Sequence, residues 1–245
     1  MSEWAPKRFW REVEVVPDGA GFGIRLDGRM PRTPAKASLR LPTRAFAEAV
    51  AAEWRAVGEV VDPLAMPATR AANAAIDKVA PQREAVVAEL AGFGASDLLC
   101  YRAEAPEELV ARQAAAWDPL LRWAEATHGA RLAVTTGVMP VAQDPGALER
   151  LAAPLAAADA FALTALSDLV ALSGSLVIGL AAVSGGWEAQ DLWERSRTDE
   201  TWQEEVWGRD EEAAEAADRR RRDFLRAGRL HALATGQADG RATQS

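Results

Sequence analysis

The sequence predicts an α+β fold in which a small N-terminal antiparallel β-rich region precedes a larger α-helical region. Three observations carry that expectation. Short apolar runs bounded by Gly, Pro and Asp fill the stretch up to Leu41. From Thr43 onward the apolar period lengthens from two to about 3.6 residues. Asp-Gly and Pro-Asp-Gly steps then suit hairpin turns in the first regime, while Thr, Asp, Pro and Gly suit helix ends in the second. A chain of 245 residues can bury a sizeable core. The expected division is a β-rich domain with one helix over residues 1–65, a helical domain over 66–234 and a disordered tail over 235–245.

Phe9, Trp10, Val13, Val15 and Val16 suggest a first strand, turned by Pro17-Asp18-Gly19, and Phe22 to Leu26 suggest a second. Asp27-Gly28 after it is a strong hairpin signal. Arg29 to Thr33 and Leu39 to Leu41 are shorter strand candidates, separated by Pro31 and Pro34. Gly19, Gly21 and Gly23 could suggest a phosphate-binding loop, but their spacing lacks the dinucleotide fingerprint and no helix follows. The hairpin reading is preferred, and no nucleotide is implied.

Thr43 is placed to cap a helix whose face is Phe46, Val50, Trp54 and Val57 and which stops at Gly58. Glu59 to Val61 reads as a return to strand, broken at Asp62-Pro63. Two helices follow, punctuated by Pro81, and on the first Thr69, Asn73 and Asp77 share a polar face expected to be exposed. Pro106 can open the next helix, with Leu109, Gln113, Ala116 and Trp117 on one side. Asp118-Pro119 is expected to cap it and restart another, with a kink near Trp117. Arg131 to Thr135 reads as a short strand or extended connection, Asp144-Pro145 as a helix start, and Ala156 to Leu166 as a separate helix after Pro154. Leu176 to Ala182 reads as a buried helix ending at Gly185-Gly186. The basic stretch at Asp218 to Leu233 reads as the last helix.

Composition excludes several functions. A net charge of −8 disfavours broad affinity for nucleic acid and favours a partner with a basic patch. One cysteine rules out an internal disulfide, and with only His128 and His231 a Cys/His zinc site has too few ligands, so neither metal nor cofactor is expected. Cys100 has no nearby histidine to lower its pKa and reads as buried and structural. Ser167 and Asp168 suggest a triad, but His128 is the base within reach of such a search and its spacing does not support one. No catalytic residue is assigned. The most apolar run, Leu169 to Val183, is short and interrupted by Ser173, Gly174, Ser175 and Gly179, so stable membrane insertion is not expected. The start MSEWAPKRFWREVEV shows no secretory or transit pattern, which points to the cytoplasm.

The functional candidate is Thr198 to Ala213, TDETWQEEVWGRDEEA, which sets Trp202 and Trp207 among carboxylates. On a wheel of about 100° per residue, Trp202, Val206, Ala213, Ala217 and Phe224 form an expected core-facing stripe, while Glu200, Gln203 and Trp207 cluster on another face. A solvated acidic surface helix would show the same charge pattern. Gly208 qualifies the wheel: a helix break there would leave only the part before it with an assigned face.

Three blocks, PATRAANAAID, DLLCYR followed by PEELVARQAAAWDPLLRW, and ETWQEEVWGRDEEA, appear in order across the span from about Arg8 to Leu233. Together they make the chain similar to the ATP synthase assembly chaperones that hold the α subunit of the catalytic head, found in mitochondria and α-proteobacteria. That resemblance implies an N-terminal β-rich domain, a C-terminal helical domain and an activity of binding rather than catalysis. The partner it implies is the unassembled α subunit, whose β-subunit-facing surface is shielded, by a chaperone expected to be monomeric. Carried residue by residue, the acidic and aromatic pattern lands on Glu200, Gln203, Trp207, Gly208, Asp210 and Glu212. The middle pattern lands on Asp97, Tyr101, Arg102, Gln113, Trp117, Asp118 and Pro119, whose part is structural or in partner binding. A general protein-interaction adaptor and a carboxylate-dependent hydrolase are the competing readings. The second lacks a nucleophile-base or metal-ligand constellation.

Overall fold

The computed structural model describes residues 7–237 and divides into two compact units. The first holds residues 7–83, Asp159–Ala165 and residues 229–237; the second holds Glu84–Ala158 and Leu166–Gly228.

In the first unit, β1 (Val13–Asp18) pairs antiparallel with β2 (Gly21–Leu26), Val13 opposite Leu26 and Asp18 opposite Gly21. Gly19 turns the chain at φ +61°, and Gly21 lies so close to Leu41 that a Cβ there would collide with the Leu41 carbonyl oxygen. The three glycines thus serve a hairpin and its packing. The strand begins later than Phe9 because the amides of Arg11 and Glu12 bond to the Asp27 carboxylate, at 3.0 and 2.8 Å, instead of to a neighbouring strand. Those bonds hold the Asp27 carboxyl below the usual range. Asp27 and Gly28 both have positive φ, and Leu26 and Arg29 exchange backbone hydrogen bonds across them, the geometry that a two-residue hairpin turn requires. The two later strand candidates reduce to isolated bridges, Arg29 with Leu26, Arg32 with Ser38 and Leu41 with Phe22. Pro31 and Pro34 lack the N–H that a longer ladder needs.

Thr43 caps α1 (Arg44–Ala56), accepting from the Phe46 amide at 3.0 Å. Phe46 and Val50 are buried with Trp10, Ile24, Leu41 and Met66 in one core, which Ala165 and Leu230 complete. After Pro63 comes α2 (Pro67–Ala74). One π turn (Ala75–Val79) and one 3-10 turn containing Pro81 then lead into α3 (Arg83–Gly92). The polar face expected to be exposed is in fact partnered. Thr69 is buried and donates to Glu53 at 2.7 Å, while the half-buried Asp77 accepts from Thr33 at 2.6 Å. Four-residue spacing identifies a shared face but not what packs on it.

The second unit is helical. A two-residue strand β3 (Tyr101–Arg102) runs parallel to β4 (Thr135–Thr136), the only part of the expected Arg131 to Thr135 strand that pairs. Between them α4 (Glu107–His128) continues through Pro119, correcting the expected restart at Asp118-Pro119. Burial of Gln113, Trp117, Leu120 and Ala124 along one side holds the helix where the proline removes one backbone donor. Asp144 caps α5 (Pro145–Ala157), which likewise passes through Pro154, so the next helix α6 (Ala160–Ser173) starts later than expected. Ser175 caps the buried α7 (Leu176–Ser184), which Gly185 ends in the left-handed conformation. Among the described residues no helix is long and apolar enough to cross a membrane. Then come α8 (Ala189–Ser196), α9 (Thr198–Trp207) and α10 (Glu211–Thr235). The expected tail lies outside the described residues from residue 238, and Thr235 still belongs to α10.

Candidate functional site

Gly208, at φ +93° and ψ 156°, stops α9, and Asp210 starts α10 by accepting from the Ala213 amide at 3.0 Å. The single wheel from Trp202 to Phe224 therefore does not exist. Val206 is 54% exposed and Ala213 is exposed, which corrects the expected core-facing stripe. Ala214, Phe224 and Ala227 are among the buried positions of α10, and Ala213 is not.

Before the break, α9 has two distinct sides. Asp199, Trp202 and Glu205, spaced by three, engage α4. Gln113, buried, donates its amide to Asp199 at 2.7 Å and accepts the Ala103 amide at 2.8 Å. Arg112 pairs with Glu205 at 2.8 Å and lies over the Trp202 ring at 5.0 Å, and its hydrogen bond holds the Glu205 carboxyl below the usual range. At the entry to α9 the buried Trp117 donates to the Arg195 carbonyl at 2.8 Å, which also accepts from Thr198. Arg195 in turn donates to the Ala116 carbonyl at 2.6 Å.

The other side presents Glu200, Gln203, Glu204 and Trp207, the i, i+3, i+4, i+7 set that shares a helical face. With Asp210 and the alanines of α10 they line an open groove of about 430 Å³. Arg197 forks across Glu200 and Glu204 at 3.2 Å each, its side chain only 19% exposed. Trp207 is 78% exposed. Glu212, in the first turn of α10, is exposed and outside the groove lining.

The middle block serves as a base for this helix. Asp97 is fully buried at the start of α7, where it accepts from Ser175 at 2.7 Å and from the Val177 and Leu99 amides at 3.1 Å. Burial outweighs those bonds and pushes its carboxyl up to about 6. Tyr101 is half-buried in β3. Arg102 stacks on Trp117 at 5.2 Å, pairs with Asp118 at 2.8 Å and donates to the Leu99 carbonyl. Gln113 reaches α9 and Trp117 reaches Arg195 in the last turn of α8, just before it, while Asp97 supports α7. Arg112, Arg195 and Asp199 are contributors that sequence reasoning did not single out. Arg112 precedes Gln113 in the same block, but its partner is 93 positions away and has no local signature.

Groups that could do chemistry are placed elsewhere. Cys100 is buried, and burial with the nearby Asp97 charge pushes its thiol up to about 12. His128 packs edge-on against Trp123 at 5.3 Å. Among the described residues no three His, Cys, Asp or Glu side chains group as metal ligands.

A family model described as ATP12 chaperone protein matches residues 7–125. The crystal structure of Atp12 from Paracoccus denitrificans is similar at 51% identity, covering 95% of this chain and 100% of that one with a TM-score of 0.92. A single-site mutant of the same protein superposes equally well, with a TM-score of 0.92. A putative chaperone from Agrobacterium tumefaciens matches at 43% identity, over 93% of this chain and 85% of that one, with a TM-score of 0.87.

Proposed function

This chain belongs to the ATP12 chaperone family, and on that premise we propose that it binds the unassembled α subunit of the ATP synthase catalytic head. In this reading it is a chaperone of ATP synthase assembly that covers the α-subunit surface destined for the β subunit. It works as a cytoplasmic monomer, by binding and without catalysis. The observation that carries the reading is the presentation of α9. One side of that helix is fastened to α4 through Gln113 and Arg112, and Trp117 holds the end of α8 that leads into it. Glu200, Gln203 and Trp207 are thereby displayed on the other. A holder of incomplete subunits needs such an arrangement: an aromatic anchor for contact area, and charges that steer association and remain exchangeable.

The test is a pull-down from the native cytoplasm with the full chain as bait. Co-purification of the α subunit supports the proposal, whereas another dominant partner supports a general adaptor. Glu200→Lys reverses a groove charge whose carboxylate is half-exposed, so it is expected to abolish rescue of ATP synthase assembly while leaving the fold intact. Normal assembly with that variant would remove α9 from the client surface.

A further inference from the structure

The groove beside α9 combines three kinds of surface. Trp207 supplies an exposed aromatic wall, Ala213, Ala216 and Ala217 supply a floor of small apolar side chains, and Glu200, Glu204 and Asp210 supply carboxylates. The two arginines in the lining are already engaged. Arg197 binds one oxygen of Glu200 and one of Glu204, leaving the second oxygen of each outside that fork. Arg220 donates to the Leu172 carbonyl at 3.0 Å. Around the groove, Thr198 to Glu215 carries eight acidic residues against one basic residue, Arg209.

Few occupants suit all three surfaces. A wholly apolar helix would strip water from the carboxylates without pairing them. An acidic segment or a phosphate would meet a negative field. A long cationic side chain matches each part, because its methylene stem covers alanine and its charged head is attracted both to an aromatic face and to carboxylate. We infer that the groove takes one arginine or lysine side chain of the client, its stem along the α10 alanines and its head between Trp207 and the outer oxygens of Glu200 and Glu204. Arg197 is the positioning residue: by bonding one oxygen of each, it holds the Glu200 and Glu204 carboxylates side by side in the groove. The inference rests on the chaperone reading, with the cation belonging to the α subunit, and it names the chemistry of the contact.

The test is equilibrium binding of the full chain to purified, immobilised ATP synthase α subunit at about 50 and about 300 mM KCl. Trp207→Leu keeps an apolar side chain but removes the aromatic face, and is expected to weaken binding by about tenfold or more. The double variant Glu200→Gln/Glu204→Gln is expected to weaken binding comparably and to flatten its salt dependence. Circular dichroism melts matching the wild type confirm that the substitutions spare the fold. If the wild type binds and both variants stay within about twofold of it, the groove is not the contact, while the chaperone reading stands. If Trp207→Leu alone weakens binding and the double variant leaves affinity and salt dependence unchanged, the occupant is apolar and the cation assignment is overturned. If the wild type fails to bind the α subunit, the proposed function falls and this inference with it.

Discussion

The buried side-chain amide of Gln113 donates to the Asp199 carboxylate at 2.7 Å while its carbonyl accepts the Ala103 amide at 2.8 Å, so one side chain ties the chain after β3 to the first turn of α9. Gln113→Ala leaves the Ala103 donor and the Asp199 acceptor without this partner. The expected loss is about 1–3 kcal/mol, concentrated at α9. Hydrogen exchange checks the location: amides of α9 should exchange faster than in the wild type, while those of the buried α7 stay protected. Uniform acceleration through both helices would mean that Gln113 supports the whole unit.

Asp97 makes a pH prediction. Its carboxyl is raised to about 6 from a reference of 3.8, chiefly by burial. The folded state therefore binds this proton more tightly than the unfolded chain does. The stabilising contribution is complete below about pH 4 and is lost as pH rises through about 6. Asp97→Asn has no such titration. Urea melts of both proteins should show the wild type gaining on the variant, by about 2 kcal/mol, as pH falls from about 7 to about 4.5. A difference that stays constant across that range would show that the bonds from Ser175, Leu99 and Val177 offset the burial.

Local chemistry explains which of these features were legible in the sequence. The Thr43 and Asp144 caps, the Asp27-Gly28 turn and the Gly185 helix end each depend on a few adjacent residues, and all formed as expected. The same local logic makes Pro119 and Pro154 breaks, yet both helices continue because burial of Trp117 and Leu155 holds them from outside the local sequence. Thr69 and Asp77 show the same limit, since Glu53 and Thr33 are distant in the chain. At the candidate site, the face shared by Glu200, Gln203 and Trp207 could be drawn before Gly208. The face of Val206 could not, because the wheel assumed a helix that Gly208 ends. Gln113 and Trp117 were singled out through family resemblance, and their bonds to Asp199 and Arg195 became visible only in three dimensions.

Close helix approach gives a packing prediction. A Cβ on Gly179 would lie 2.5 Å from Val170 Cγ2 and 3.4 Å from the Val170 nitrogen. Gly179→Ala should therefore cost about 1–3 kcal/mol by overpacking, despite the higher helix propensity of alanine. Val170→Ala removes the clashing methyl. In a double-mutant cycle the two substitutions together should cost less than the sum of their separate losses. Strict additivity would mean that α6 and α7 separate freely to accommodate the methyl group.

Val206 and Phe224 separate the two readings of the acidic segment. A wheel drawn through Gly208 puts both on one core-facing stripe, but Val206 is 54% exposed and Phe224 is fully buried against Trp193 at 5.7 Å. Val206→Thr substitutes a surface position away from caps and cores and should change stability by less than about 0.5 kcal/mol. Phe224→Ala opens a cavity beside Trp193 and should cost about 3–5 kcal/mol. Denaturant melts of the two variants check both. Equal losses would restore a continuous stripe and with it a core role for Val206, whereas a small loss at Val206 leaves that side chain beside Trp207 on the solvent-facing end of α9.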